Sequence, residues 1–110
     1  MMKYRLKSKY KSVRSKTDGI NFDSKLEAKY YQHLMLLKKA GDILFFLRQV
    51  PFDLPGNVKY RCDFVIFWKN GIIEFVDVKG YQTDTYKLKK KMVQDLYPVE
   101  IREVTKAEIR

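Results

Sequence analysis

Apolar residues recur along the chain with two different spacings, and the spacing predicts where helices and strands form. Between residues 25 and 39 they return every three or four positions, which is typical of an amphipathic helix. Gly41 then suits the left-handed residue at which a helix ends. A second helix is predicted over residues 83–96, with Pro98 just beyond its end. The apolar stripes of the two helices consist of Leu26, Tyr30, Leu34 and Leu37, and of Leu88, Met92 and Leu96.

Four runs of aromatic and β-branched residues predict strands. They span residues 43–52, 60–68, 72–79 and 99–104. The turn sequences LPGN at 54–57 and KNG at 69–71 connect the first three strands. The order of elements is therefore α-β-β-β-α-β, a three-stranded meander followed by a helical crossover. The crossover should be right-handed and place the last strand parallel to the third. We expect one α/β domain with a mixed sheet flanked by helices.

Charge is unevenly distributed along the chain. The formal net charge is +10, and residues 1–17 contain seven basic residues and no acidic one. We therefore predict a flexible basic arm at 1–17, ahead of a single folded domain at 18–110. Such an arm is attracted to polyanions, which favours contact with nucleic acid over the alternative of a solubilising tail. The basic residues of the arm are Lys3, Arg5, Lys7, Lys9, Lys11, Arg14 and Lys16.

Several residue types are too scarce for common kinds of site. A single cysteine, Cys62, excludes an internal disulfide and a cysteine-rich zinc site, and a single histidine, His33, excludes most histidine-based metal sites. Neither a signal peptide nor a membrane span is evident, which predicts a cytoplasmic protein without a membrane partner. The chemistry of the protein must then come from carboxylates, lysines or hydroxyls.

Charged residues interrupt two of the predicted strands. Asp77 and Lys79 stand two apart in EFVDVKG and so share a face, and Asp63 interrupts YRCDFVIFW in the strand before. A two-residue hairpin loop would place Asp63 opposite Val78, on the other face from Asp77. A three-residue loop at 69–71, or a bulge in one strand, would place Asp63 opposite Asp77. A cluster of Asp63, Asp77 and Lys79 thus depends on a connection other than the simple two-residue turn.

Two opposed carboxylates repel each other and need a cation between them or a shared proton. A hard divalent metal, Mg²⁺ or Mn²⁺, would meet that need, with Asp63, Asp77 and the backbone carbonyl of Val78 as oxygen ligands. Lys79 would then lie beside the metal, where it could stabilise charge on a phosphate or help to position and deprotonate a water. The alternative is a structural salt bridge at the end of the sheet.

Asp63 and the run Asp77-Val78-Lys79, on a predicted hairpin, resemble the signature of the PD-(D/E)XK nuclease superfamily, which includes restriction endonucleases and Holliday-junction resolvases. A family of small phage-encoded proteins placed in that superfamily is similar over longer segments, namely DGINFDSKLEAKYYQHL, QVPFDL, YRCDF and FVDVKG followed by TDTYKLKKKMV. The resemblance covers residues 18–104. One departure is Arg61-Cys62, which stands where the name of the superfamily has a proline before the first aspartate.

The resemblance implies a restriction-endonuclease-like core and a third acid from the first helix, which matches Glu27. From the residues alone, Ser24-x-x-Glu27 favours a capping box, in which the carboxylate bonds back to the Ser24 backbone. A glutamine near the metal is also implied, at Gln49, which the pattern alone would leave as an exposed strand residue. The implied catalytic residues are Glu27, Asp63, Asp77 and Lys79.

The resemblance further implies a metal-dependent endonuclease that hydrolyses DNA in the cytoplasm of a phage-infected or prophage-carrying bacterial cell, in phage recombination, replication or packaging. A domain this small has little surface for reading a base sequence, so we expect it to recognise a junction, flap or nick, and a homodimer would suit symmetric targets. No small-molecule substrate is expected. The alternatives are a non-catalytic basic nucleic-acid-binding module and a ribonuclease. The expected DNA contacts are Lys87, Lys90, Lys91, Arg5, Lys7, Lys9, Lys11 and Arg14. The alternative for the three helix lysines is that they form only a solvated face.

Overall fold

The computed structural model describes residues 15–108, which form two helices and two sheets. A short antiparallel hairpin comes first, followed by a helix, a three-stranded antiparallel meander, a second helix and a last strand that pairs parallel to the third strand of the meander. The elements are β1 (Ser15–Thr17), β2 (Ile20–Phe22), α1 (Lys25–Ala40), β3 (Ile43–Leu54), β4 (Val58–Trp68), β5 (Ile73–Val78), α2 (Asp84–Leu96), β6 (Ile101–Val104) and a 3-10 turn (Lys106–Glu108). The larger sheet has the strand order β3-β4-β5-β6.

The predicted mixed α/β class is confirmed, whereas the β1–β2 hairpin is an element that the sequence pattern did not reveal. Its turn consists of Asp18 and Gly19, both with positive φ, which suits a tight two-residue hairpin. Residues 15–17, which we expected in the flexible arm, thus form a strand, and the folded part begins earlier than residue 18. Most of the arm, with the expected DNA contacts Arg5, Lys7, Lys9, Lys11 and Arg14, lies outside the described residues. Within residues 15–108, no helix is long and apolar enough to cross a membrane.

Each face of the larger sheet packs against one helix. On the α1 face, Leu34 meets Phe64, Ile66 and Val76 in one core cluster. On the α2 face, Val93, Val65 and Ile101 belong to a second cluster. Residues 64–68 of β4 form a continuous apolar run, as expected for a strand covered on both sides, whereas residues 58–63 alternate between apolar and polar. Asp63 stands at the change between the two patterns.

The connection between β4 and β5 sets which residues of these strands face each other. The Trp68 N–H donates to the Ile72 carbonyl at 2.9 Å, so the loop contains three residues, 69–71. Gly71 takes a φ of 92°, the left-handed conformation that a three-residue hairpin loop needs. The resulting register pairs Phe64 with Val76 and therefore places Asp63 opposite Asp77, as the three-residue loop predicted.

The alternation of β3 side chains between the two faces of the sheet is shifted at Gln49. In a regular strand Phe46 and Val50 would point to the same face, because they are four residues apart. Instead, Phe46 packs in the α1 cluster and Val50 in the α2 cluster. Gln49 lies between them with a φ of 52°, an uncommon conformation for a residue other than glycine. We call this distortion the crease.

The crease continues into β4. Phe64 packs on the α1 face and Cys62 on the α2 face, although side chains two apart would normally share a face. Asp63 lies between them, and the pairs on either side, Arg48 with Phe64 and Val50 with Cys62, place Gln49 across from it. The crease thus brings Gln49 and Asp63 together at the position where both strands exchange faces. Cys62 is fully buried there, as expected for a packing residue.

The hairpin register predicts a specific cost for replacing Gly71. Alanine at a φ of 92° is strained, so Gly71→Ala should lower the free energy of unfolding by about 1 kcal/mol. Thermal unfolding should then shift downward by roughly 4–8 °C for a domain of this size. Gly80→Ala is the matched control, because Gly80 has no positive φ and an added Cβ would meet nothing within 4 Å. Equal unfolding temperatures for the two variants would contradict this account of the turn.

Candidate active site

The site forms where β4 and β5 separate. Their last paired residues are Phe64 and Val76. Beyond that pair, the Asp63 N–H donates to Asp77 Oδ1 and the Val78 N–H donates to Asp63 Oδ2, both at 2.9 Å. Two side-chain carboxylates thus act as acceptors for backbone N–H groups at the end of the ladder. These bonds fix the orientation of both acids and favour their charged forms.

Glu27 reaches the same place from the first turn of α1. Its backbone N–H donates to the Ser24 hydroxyl at 3.0 Å, which caps the helix. Its carboxylate instead accepts a hydrogen bond from Gln49 Nε2 at 3.0 Å. Among the hydrogen bonds of residues 15–108, none joins the Glu27 carboxylate to the Ser24 backbone. Glu27 therefore takes part in both the helix cap and the site: its backbone N–H bonds to the cap residue, and its carboxylate bonds to Gln49.

Gln49 connects Glu27 to the strand acids. The same amide nitrogen that donates to Glu27 also lies 3.2 Å from Asp63 Oδ1. The left-handed backbone at the crease aims the side chain between the two carboxylates. Arg48, the residue before it, places Nη2 3.8 Å from Glu27 Oε2 and its guanidinium 4.4 Å from the centre of the Phe22 ring. The sequence pattern did not single out Arg48 as a neighbour of the site.

Burial raises the pKa of each of the three acids. The pKa of Glu27 rises to about 7, chiefly through burial and then through the charge of Asp63, while Arg48 opposes the shift. Burial likewise raises the pKa of Asp63 and of Asp77, and the charge of Lys79 opposes the shift in both. The cluster therefore carries more buried negative charge than its neighbours compensate, which favours binding of a cation or a proton.

Asp77 shows this imbalance at a single atom. The residue is fully buried, and Oδ2 has no hydrogen-bond partner in the described part of the chain, whereas Oδ1 accepts from Asp63. A buried acceptor without a partner costs about 1–3 kcal/mol, and more when it is charged. An oxygen in this state is a suitable ligand for a hard cation.

Lys79 follows Asp77 on the α2 face but does not form a close ion pair with it. Within residues 15–108, no carboxylate oxygen lies within 4.0 Å of Lys79 Nζ. The ammonium instead lies 4.4 Å from the centre of the Tyr86 ring, on α2. The alternative of a direct Asp77–Lys79 salt bridge is thus not the arrangement in the structure. Tyr86 gave no signal in the sequence, because nothing in the helical pattern relates it to the strand.

The available donors define what kind of metal site could form. No group of three or more His, Cys, Asp or Glu side chains in residues 15–108 is arranged to hold a metal ion. Asp63, Asp77 and the Val78 carbonyl offer oxygen only, which suits Mg²⁺ or Mn²⁺ rather than a softer metal. A cation held by these groups would complete its coordination with waters and phosphate oxygens, as Mg²⁺ commonly does in proteins.

The lysines of α2 differ in whether their ammonium groups contact other groups of the protein. Lys87 and Lys91 are exposed. Lys90 lies 3.1 Å from Glu103 Oε2, so its charge is balanced within the protein. Lys89 donates to the carbonyl of Lys59 at 3.2 Å. Of the four helix lysines, Lys87 and Lys91 thus present the most accessible positive charge.

Comparison with known proteins identifies the family of the chain. A family model described as "Protein of unknown function (DUF1064)" matches residues 7–108. The match covers nearly the whole chain, including part of the basic arm, and the chain belongs to this family. No curated protein matches it. The description of the family names no reaction, so a function has to be inferred from the site.

The raised pKa of Glu27 predicts how stability depends on pH. The folded protein holds this proton with a pKa of about 7, against about 4.5 for an unperturbed glutamate. Stability from Glu27 is therefore present at low pH and is lost as pH rises from 4.5 through 7, by on the order of 3 kcal/mol. In EDTA, Glu27→Gln should reduce the fall in the free energy of unfolding between pH 5 and pH 8. Glu100→Gln, at an exposed position, should retain the wild-type slope. The interpretation fails if both variants show the same slope.

Proposed function

We propose that the protein is a metal-dependent endonuclease of the PD-(D/E)XK type that hydrolyses phosphodiester bonds of DNA. The observation that carries the proposal is a hydrogen-bonded set of three acids at the point where β4 and β5 separate: Gln49 joins Glu27 to Asp63, and the Asp63 N–H donates to Asp77. Glu27 and Asp77 are buried, Asp63 is half-buried, and Lys79 follows Asp77 by two residues. The pKa values of all three acids are raised, which is common at functional sites. This constellation agrees with the resemblance drawn from the sequence.

The donor set fits a divalent cation. Asp63, Asp77 and the Val78 carbonyl would hold Mg²⁺ or Mn²⁺. Asp77 Oδ2, which has no hydrogen-bond partner in the part of the chain that the structure describes, would gain most from a bound cation. A bound divalent cation would polarise the phosphate and lower the pKa of a bound water.

Side chains near the cation would have separate roles in the reaction. Lys79 would offset negative charge that develops on the phosphate, or position the attacking water. Glu27 and Gln49 would hold Asp63 in place, because the Gln49 amide is shared between the two carboxylates. Burial of the acids excludes bulk water, which strengthens each of these electrostatic effects.

Positive charge would bring DNA to the site. The chain has a net charge of +10, concentrated in residues 1–17, and exposed Lys87 and Lys91 follow the site on α2. We propose that recognition depends on the backbone and shape of a junction, flap or nick, that a homodimer acts on symmetric targets, and that the setting is phage recombination, replication or packaging in the bacterial cytoplasm. A ribonuclease would use the same site, and RNA is the substrate to compare.

A non-catalytic nucleic-acid-binding module is the second candidate. One observation favours it: Asp63 and Asp77 each accept a backbone N–H, so both could serve only to close the end of the sheet. The two candidates differ in their need for metal. A binding module would hold DNA equally with Mg²⁺ or EDTA and would tolerate Asp77→Asn.

The nuclease proposal predicts metal-dependent cleavage that requires Asp77 and Lys79. Wild-type protein should cut a labelled four-way junction, a flap or a nicked duplex with Mg²⁺ or Mn²⁺ and leave it intact in EDTA. Asp77→Asn and Lys79→Ala should each reduce the rate by roughly a hundredfold or more, because the first removes a charge that would hold the cation and the second a charge that would act at the reacting phosphate. Gel electrophoresis of end-labelled DNA measures the rate.

Two exposed positions provide matched controls for this experiment. Asp95→Asn and Lys69→Ala make the same chemical changes on α2 and in the β4–β5 loop and should cut like wild type. Equal cutting by wild type and by the Asp77 variant would indicate a contaminating nuclease. If wild type binds DNA but cuts neither DNA nor RNA in any metal, the binding module is supported instead.

The exposed α2 lysines predict a separate effect on binding. The double variant Lys87→Ala/Lys91→Ala should bind DNA more weakly than wild type in EDTA. The slope of log Kd against the logarithm of salt concentration should be smaller than that of wild type by up to about two. Lys38→Ala/Lys39→Ala removes the same charge from the last turn of α1 and is the matched control. Fluorescence anisotropy at several salt concentrations measures both slopes. Identical slopes for the two double variants would rule out a specific contact by the α2 pair.

A further inference from the structure

The position of the Lys79 ammonium is set by an aromatic ring rather than by a carboxylate. Nζ lies 4.4 Å from the centre of the Tyr86 ring, within the range of a cation–π interaction. The Lys79 N–H donates to the Val104 carbonyl at 3.0 Å, so the backbone continues the line of β5 and the Lys79 side chain lies on the same face as that of Asp77, two residues earlier. The ring thus contacts the cation on the face of the sheet to which Asp77 belongs, and Asp77 Oδ2 has no hydrogen-bond partner within residues 15–108.

Tyr86 is itself held in place from both ends. Its N–H donates to the Thr83 hydroxyl at 3.1 Å, at the start of α2. Its hydroxyl donates to Glu103 Oε2 on β6 at 2.9 Å. Burial, followed by the charge of Asp77, raises the pKa of Tyr86, which keeps the hydroxyl protonated and able to donate.

Glu103 is a fixed acceptor rather than a mobile surface acid. It accepts from Gln82 Nε2 at 2.8 Å through Oε1, and Lys90 Nζ lies 3.1 Å from Oε2. Although burial acts to raise its pKa, the bonds from Tyr86 and Lys90 lower the pKa of Glu103 overall, so the acceptor stays charged. A continuous set of contacts therefore runs from β6 through α2 to the lysine.

We propose that Tyr86 is a positioning residue for Lys79: its ring face holds the ammonium next to the acid cluster, and Glu103 fixes the orientation of the ring. The consequence for cleavage rests on the proposed function, whereas the positioning itself does not. A lysine side chain is long and flexible, and two buried carboxylates nearby would otherwise attract it into an ion pair. The ring offers the ammonium another contact, so that Lys79 does not form an ion pair with Asp77.

The positioning can be measured without any cleavage. In metal-free wild-type protein, the ε-methylene protons of Lys79 should show an upfield ring-current shift and nuclear Overhauser contacts to the Tyr86 ring, with Lys79→Ala identifying the signal. Tyr86→Phe keeps the ring without its bond to Glu103 and should keep part of the shift. Tyr86→Leu fills similar volume without a ring and should lose it. Tyr81→Leu, at a tyrosine that is 82% exposed in the preceding loop, should leave the signal unchanged.

Cleavage provides the second measurement. Tyr86→Leu should lower kcat by roughly ten- to a hundredfold with little change in KM, because a displaced Lys79 affects the reaction more than substrate binding. Tyr86→Phe should retain more of the rate than Tyr86→Leu, because the ring remains although its bond to Glu103 is lost. Equal rates in the two variants would show that the hydroxyl bond matters and the ring face does not. Circular dichroism and thermal unfolding establish that each variant is folded.

The outcomes separate the two proposals. Absence of the upfield shift or of the ring contacts in wild type overturns the positioning role, and this reading does not depend on whether Tyr86→Leu folds. Wild-type kcat in a folded Tyr86→Leu variant that has lost the shift also overturns it as a feature of the reaction. If the ring contacts are present but wild type cuts no nucleic acid, the positioning contact stands and the proposed nuclease function fails.

Discussion

Two hydrogen bonds from backbone N–H groups to buried carboxylates determine how the site is built. Where β4 and β5 separate, the N–H groups of Asp63 and Val78 require acceptors, because buried backbone groups are rarely left unpaired. The acceptors are the side chains of Asp77 and Asp63. The same two hydrogen bonds therefore satisfy the backbone where the strands separate and fix the orientation of the two acids. The same arrangement draws the carboxylates into the interior, where burial raises their pKa values. A cost in stability thereby accompanies the orientation of the two acids, which is the arrangement that the proposed cation site would use.

The other elements contribute to this point from both faces of the sheet. From the α1 face, the Ser24 cap positions the first helical turn so that the Glu27 carboxylate reaches Gln49. From the α2 face, Tyr86 contacts Lys79. These two groups could not meet across an ordinary sheet, whose strands separate its faces. The crease allows them to share one set of acids, because Asp63 stands where β4 exchanges its faces.

Local patterns were sufficient for the parts of the structure that depend on neighbours in sequence. Helical spacing located α1 and α2. The numbering of paired strand residues offered the register that opposes Asp63 to Asp77 as one of two alternatives, and the three-residue loop with Gly71 in the structure decides between them. The β1–β2 hairpin was missed because strands of three residues are too short to show a period. The left-handed Gln49 and the contact between Tyr86 and Glu103 were missed because they arise between residues brought together only by the fold. For Glu27, the sequence pattern predicted the helix cap, whereas only the fold shows that its carboxylate bonds to Gln49.

The crease also affects the outer edge of the sheet. β3 is the terminal strand of the four-stranded sheet, and an edge of twelve residues is a template on which a strand from another molecule could add. Because Gln49 turns the two halves of β3 to opposite faces, an incoming regular strand could match the pleat of one half only. Natural proteins often blunt exposed edges with such irregularities. The distortion that delivers an amide to the acids therefore also limits edge-to-edge aggregation, which protects a chain whose edge strand carries exposed Leu44, Phe45 and Leu47.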